Sequence, residues 1–173
     1  MATIAANLQA VRERVARAAA AAGRDPGSVT LVAVSKTHPA ALIGEAHAAG
    51  QRGFGESYVQ EAAEKMDALR HLGIEWHLVG ALQSNKTRIA AERFAWVHTI
   101  ASERIARRLA QQRPESLAPL NVLVQVNVSG ESTKSGVVPR EAAALARAVA
   151  ALPRLRLRGL MAVPEPAPDA GLQ

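Results

Sequence analysis

The chain has 173 residues, 49% of them hydrophobic and 21% charged, enough for one well-buried core and too few for two comfortable domains; a single domain over residues 1–173 is expected. It has no cysteine, no HExxH-type histidine pair, no apolar run of about 18 residues and no secretory leader pattern. A disulfide framework, thiolate chemistry, a metal site, a membrane span and secretion are therefore not expected, and a cytoplasmic protein is.

The net charge of +6 would permit nucleic-acid binding, since basic clusters displace counterions from phosphates. The arginines, however, are spread singly or in pairs over expected helices (Arg12, Arg14, Arg17, Arg104, Arg107, Arg108), and two Phe, one Tyr and two Trp leave little for base stacking. Solvated helix faces account for the charge, and no nucleic-acid partner is expected.

Along the chain, Ile4, Leu8, Val11 and Val15 recur at helical spacing and predict an N-terminal helix over Thr3 to Ala22, ended by Gly23 and the Asp25-Pro26-Gly27 turn. Strand and helix then alternate. The β-branched run Val29 to Ser35 reads as a strand, Pro39 to Ala49 as a helix, Gly53 to Glu56 as a strand, and Tyr58 to Leu72 as a helix with Val59, Ala62, Met66 and Leu69 on one side. Further strands are expected at Trp76 to Gly80, Trp96 to Ile100, Val122 to Val128 and Leu155 to Val163. The helices between them fall near Asn85 to Phe94, Glu103 to Gln112 and Arg140 to Leu152.

Regular βα alternation with apolar strands predicts a parallel sheet covered by helices. No GxGxxG or GxxxxGK[ST] follows the first strand, so a (β/α)8 barrel is favoured over an open doubly wound sheet. With βα units starting at residue 29, about six of eight are expected here, the C-terminal two being missing, so the chain reads as a truncated barrel.

Only four of the 21 basic residues are lysines, at 36, 65, 86 and 134. Lysine differs from arginine in having an amine that can lose its proton and become nucleophilic. Three of these fall after strands, where parallel βα folds collect chemistry. Lys36 ends the first strand and could attack an aldehyde, with His38 nearby, or could simply leave the sheet for solvent. Lys86 follows Gly80 to Asn85, and Lys134 lies in the Ser129 to Gly136 loop; either could offer positive potential to an anionic ligand or be a solvated loop charge. Gly130, Ser132, Ser135 and Gly136 could cradle a phosphate or cap a helix. Lys65 lies mid-helix beside Glu61 and Glu64, where surface pairing suffices. Trp76 and His77 read as packed strand residues.

Val32 to Thr37, Phe54 to Glu61, Trp76 to Gly80 with Leu82 to Lys86, Gln125 to Asn127 with Lys134 to Gly136, and Gly159 to Met161 resemble, in order, the successive motifs of the pyridoxal phosphate homeostasis protein family. The resemblance implies an alanine racemase N-terminal-domain type of barrel. It also implies pyridoxal 5'-phosphate held as a Schiff base on Lys36, with Ser57, Asn85, Lys134 and Met161 as further cofactor-binding residues. It implies a role in holding, buffering or delivering the cofactor, with no established catalysis; PLP-dependent enzymes as recipients and a monomeric state are expected beside it, and the alternative is a racemase-like enzyme using the same imine. Ser57 departs from the family's usual Asn, offering a hydroxyl in place of an amide. The resemblance also puts the main phosphate contacts after the seventh and eighth strands, so this chain alone is expected to hold the cofactor weakly or not at all.

Overall fold

The computed structural model describes residues 3–130 and 135–165. Twelve regular elements alternate: α1 (Ile4–Ala21), β1 (Ala33–Val34), α2 (Ala40–Ala48), β2 (Gly53–Glu56), α3 (Val59–Ala68), β3 (Glu75–Leu78), α4 (Thr87–Arg93), β4 (Trp96–Ile100), α5 (Glu103–Gln112), β5 (Leu120–Gln125), α6 (Pro139–Ala150) and β6 (Leu155–Met161). The six strands form one sheet in the order β1-β2-β3-β4-β5-β6, and every neighbouring pair is parallel. A sequential parallel order with a helix in each crossover is the arrangement of a β/α barrel, here in the form of a six-strand arc whose edges are β1 and β6.

Period-two alternation sorts the strand residues to the two sides. Phe54, Leu78, Val97, Leu120, Val122 and Val124 face the helices and are almost entirely buried against Ile43, Ala62, Met66, Ala90, Phe94, Leu109 and Val149. Burying each large side chain in this layer contributes roughly 1.5–3 kcal/mol. Glu56 pairs with Leu78 in the β2–β3 ladder and shares the face of Phe54, so the alternation that builds the core also buries a carboxylate. The opposite face carries Gly53, Gly55, His77, Trp96 and His98, and a Cβ on Gly53 would meet the His77 ring.

The helix limits follow local chemistry. Thr3 and Ser102 cap α1 and α5 by accepting from the amides of Ala6 and Ile105, and Pro139 opens α6, where its missing N–H costs nothing. The first strand is shorter than its apolar run predicts. Only Ala33 and Val34 pair with β2, while the Leu31 carbonyl accepts from the Gln51 side-chain amide at 2.7 Å in place of a ladder partner. Among the described residues no helix is long and apolar enough to cross a membrane.

Candidate functional site

The C-terminal ends of β1, β2 and β3 open into a cleft of about 550 Å³ lined by Lys36, Ser57, Tyr58, Gln60, Gln83 and Lys86, among others. Each comes from a loop or helix start just after a strand, the end of a parallel sheet where side chains converge. Gly80 lets the walls meet: a Cβ there would stand 2.2 Å from the Ser57 carbonyl oxygen. The Thr99 hydroxyl donates to the Gly80 carbonyl at 2.8 Å and ties that wall to β4.

The Lys36 side chain is exposed on this cleft, and its amine makes no hydrogen bond or ion pair with any described residue. The backbone on either side of it is, by contrast, closely held. Ser35 donates its amide to the Gly55 carbonyl at 2.9 Å and its hydroxyl to Glu56 Oε1 at 2.7 Å. Thr37 has a φ of 65°, a left-handed conformation that costs a β-branched residue about 1–3 kcal/mol, and its amide donates to Glu61 Oε1 at 2.7 Å.

Lys65 completes this arrangement. Far from pairing on the surface, as its acidic neighbours suggest, it is buried, and its three N–H groups go to the Ser35 carbonyl (2.8 Å), Glu56 Oε1 (2.7 Å) and Glu61 Oε1 (2.6 Å). Three acceptors, two of them carboxylate oxygens, use all three donors of the side chain. The hydrogen bond from Lys65 holds the Glu61 carboxyl below its usual value against the opposing effect of burial, and the Thr37 amide adds to the lowering. Glu56 Oε2 is buried without a partner among the described residues. The signal for this burial was present in the sequence, because position 65 lies three residues after Ala62 and four before Leu69, on the inner stripe of α3.

Of the other expected site residues, Ser57 lines the Lys36 cleft, whereas Asn85, exposed in the 3-10 turn Ser84–Lys86, does not, and Met161 at the end of β6 pairs with Gln125 away from it. Lys134 and Ser132 lie outside the described residues. A smaller cleft of about 190 Å³, lined by Ala81, Gln125, Asn127, Ser135 and Val163 among others, adjoins the first through Ala81. Gly136, with a φ of 121°, passes so close to β5 that a Cβ would lie 2.8 Å from the Asn127 nitrogen. His38 lines a different, apolar cleft with Ile4, Leu42 and Phe54. Among the described residues no cluster of His, Cys, Asp or Glu has a metal-binding arrangement.

On the sheet face away from the helices, His77 stacks on Trp96 at 5.5 Å, with Nδ1 2.9 Å from His98 Nε2 and Nε2 3.0 Å from Glu75 Oε1. Burial, and then the charge of His77, lower the His98 pKa to about 4; burial also lowers that of His77, against the opposing pull of Glu75. At neutral pH this pair is an uncharged hydrogen-bonded unit. The Arg158 guanidinium covers the Trp96 ring at 5.5 Å.

Comparison with known proteins places this geometry. The family model described as alanine racemase, N-terminal domain, matches residues 6–171. A protein of Pseudomonas aeruginosa called pyridoxal phosphate homeostasis protein is 57% identical over 173 residues, covering 100% of this chain and 75% of its own. The Escherichia coli protein of the same name is 57% identical over 166 residues, covering 94% of this chain and 71% of its own. The structure of PipY from Synechococcus elongatus with PLP bound superimposes with a TM-score of 0.75 at 39% identity, covering 91% of this chain and 74% of that one. With such identity across the whole of its length, and with the fold of the racemase N-terminal domain, the chain belongs to the pyridoxal phosphate homeostasis protein family.

Proposed function

We propose that this protein holds pyridoxal 5'-phosphate as a Schiff base on Lys36 and buffers or delivers it, without a reaction of its own. The observation that carries the reading is the contrast at the rim: one exposed lysine amine, unengaged by described residues, in a cleft that holds a second cation, Lys86. An amine suits the aldehyde and a cation suits the phosphate. The neutral Lys36 amine adds to the aldehyde carbon, and the carbonyl oxygen leaves as water with the two amine hydrogens, so that a C=N bond replaces C=O. The relatives' name and the cofactor in the PipY structure support the same choice of ligand.

Ser57 and Lys86 are the described residues best placed to contact the bound group, Ser57 by its hydroxyl and Lys86 by charge. Asn85, Met161 and Lys134 remain proposals of the motif resemblance alone. We take the carrier to be a cytoplasmic monomer with PLP-dependent enzymes as its recipients. The chain spans 75% of the Pseudomonas aeruginosa relative.

The test is to incubate the chain with a large excess of pyridoxal 5'-phosphate, reduce with borohydride, and map the adduct by peptide mass spectrometry. Adduct on Lys36, lost in Lys36→Ala, is the expected result; absence of adduct at every cofactor concentration would remove the reading. A racemase-like enzyme is favoured by two observations, the match to the racemase domain and the exposed Tyr58 phenol in the same cleft, which could serve as an acid or base. Racemisation of alanine enantiomers above the rate with free cofactor would support it.

A further inference from the structure

We propose that Glu61 is a positioning residue: by joining Lys65 to the Thr37 amide, it fixes the Ser35–Thr37 turn and so aims the Lys36 amine into the cleft. The proposal rests on Lys36 being the residue that takes the aldehyde, as argued above, and adds what keeps that amine in place.

Lys36 lies two residues beyond β1, which has only two paired residues, so the sheet ladder alone holds it poorly. Its neighbours on both sides are instead fastened to α3 and β2. On one side Ser35 is held three ways, by its amide on Gly55, its hydroxyl on Glu56 and its carbonyl under the Lys65 side chain. On the other side Thr37, in its left-handed conformation, is held from outside the turn by the Glu61 carboxylate.

One oxygen serves both purposes. Glu61 Oε1 accepts from Thr37 at 2.7 Å and from Lys65 at 2.6 Å, so the anchor of Ser35 and the anchor of Thr37 share an atom. Glu61 lies in the first turn of α3 and Lys65, four residues on, in its last turn, which makes that helix the rigid base against which the turn is set. The same three acceptors engage every N–H of Lys65, so a second amine close to the site cannot compete with Lys36 for an aldehyde.

Glu61 also offers the cleanest test. Its side chain is 28% exposed, so truncation admits water, and Lys65 keeps Glu56 and the Ser35 carbonyl. Glu61→Gln retains an oxygen that can accept from Thr37 and Lys65; Glu61→Ala does not.

The experiment measures the rate of borohydride-trappable imine formation on Lys36, at saturating pyridoxal 5'-phosphate, for wild type, Glu61→Ala and Glu61→Gln, with the thermal midpoint of each. Misplacement of a reacting group costs rate steeply, so Glu61→Ala is expected to slow the imine by about tenfold or more while Glu61→Gln recovers most of the loss. Their thermal midpoints are expected to stay within a few degrees of one another. An unchanged rate in Glu61→Ala overturns the proposal and leaves the cofactor reading standing. A Glu61→Gln rate as low as that of Glu61→Ala overturns it too, because the shared oxygen is then not the determinant. Absence of any imine in the wild type removes the cofactor reading and this inference together.

Discussion

The corner formed by β1, β2 and α3 holds two lysines in opposite circumstances. Lys36 is exposed on the cleft with no partner among the described residues, whereas Lys65 is buried with all three of its N–H groups engaged. The difference shows how a fold divides labour between identical side chains. On the proposed reading, the lysine that takes the aldehyde must be able to shed its proton and reach out, and the lysine that holds must not. Lys65 is buried against two carboxylates and a carbonyl that together take all of its donors.

The largest effect expected from breaking this contrast is at Lys36. Lys36→Ala should abolish borohydride-trappable adduct entirely and change the urea midpoint little, since an exposed side chain away from packing contributes within about 0.5 kcal/mol. Adduct persisting on another lysine would erase the distinction between the two.

Next comes Lys65→Met, which should destabilise the fold by about 3–5 kcal/mol in urea unfolding, because Glu56 is then left buried and uncompensated. Pairing it with Glu56→Leu should restore much of the loss, which would assign the cost to the orphaned charge rather than to packing. A single Lys65→Met variant as stable as wild type would mean that the clasp contributes nothing to stability.

A smaller effect is expected where the cleft walls touch. Gly80→Ala should cost about 1–3 kcal/mol through the overlap with the Ser57 carbonyl, and the forced separation should weaken cofactor uptake without removing Lys36. Equal uptake in this variant would show that the cleft tolerates a wider mouth than its geometry suggests.

The smallest expected effect separates the clasp from the histidine pair by acid titration. The folded His98 has a pKa of about 4 against 6.5 for the free group, so the unfolded chain takes the proton first. Its contribution is complete above pH 6.5 and is lost as pH falls toward 4, amounting to about 1–2 kcal/mol after allowance for partial solvent access. Glu61, lowered below its usual 4.5, adds a second loss that develops only below that value. His98→Asn should flatten the upper part of a stability-against-pH curve and Glu61→Ala the lower part; one variant removing both would contradict their independence.

Much of the fold was legible because its signals are local. The strands Gly53–Glu56 and Trp96–Ile100 and the helix Glu103–Gln112 occur where alternation and helical spacing put them, each bounded by a turn or cap residue nearby in sequence. The run from Val29 forms less strand than its sequence predicts, for a nonlocal reason: β-branched residues make extended backbone in either case, but a strand needs a partner, and Gln51 supplies a side-chain amide there instead. His77 was read as a packed strand residue, which it is, yet its link to His98 depends on register across β3 and β4.

By itself the sequence determined the βα alternation, the scarcity of lysine that made Lys36 conspicuous, and the ordered motifs that place the chain in its family. Only the tertiary structure decided how Lys36 and Lys65 are held. Lys65 sits on the inner stripe of α3 among acidic neighbours that a surface ion pair would explain equally well, and the carboxylate that receives it, Glu56, arrives beneath it only when α3 lies on β2. Charge pairing along a helix is set by spacing, which a sequence displays; the cost of an unpaired buried charge is set by what packs over it, which the fold alone supplies.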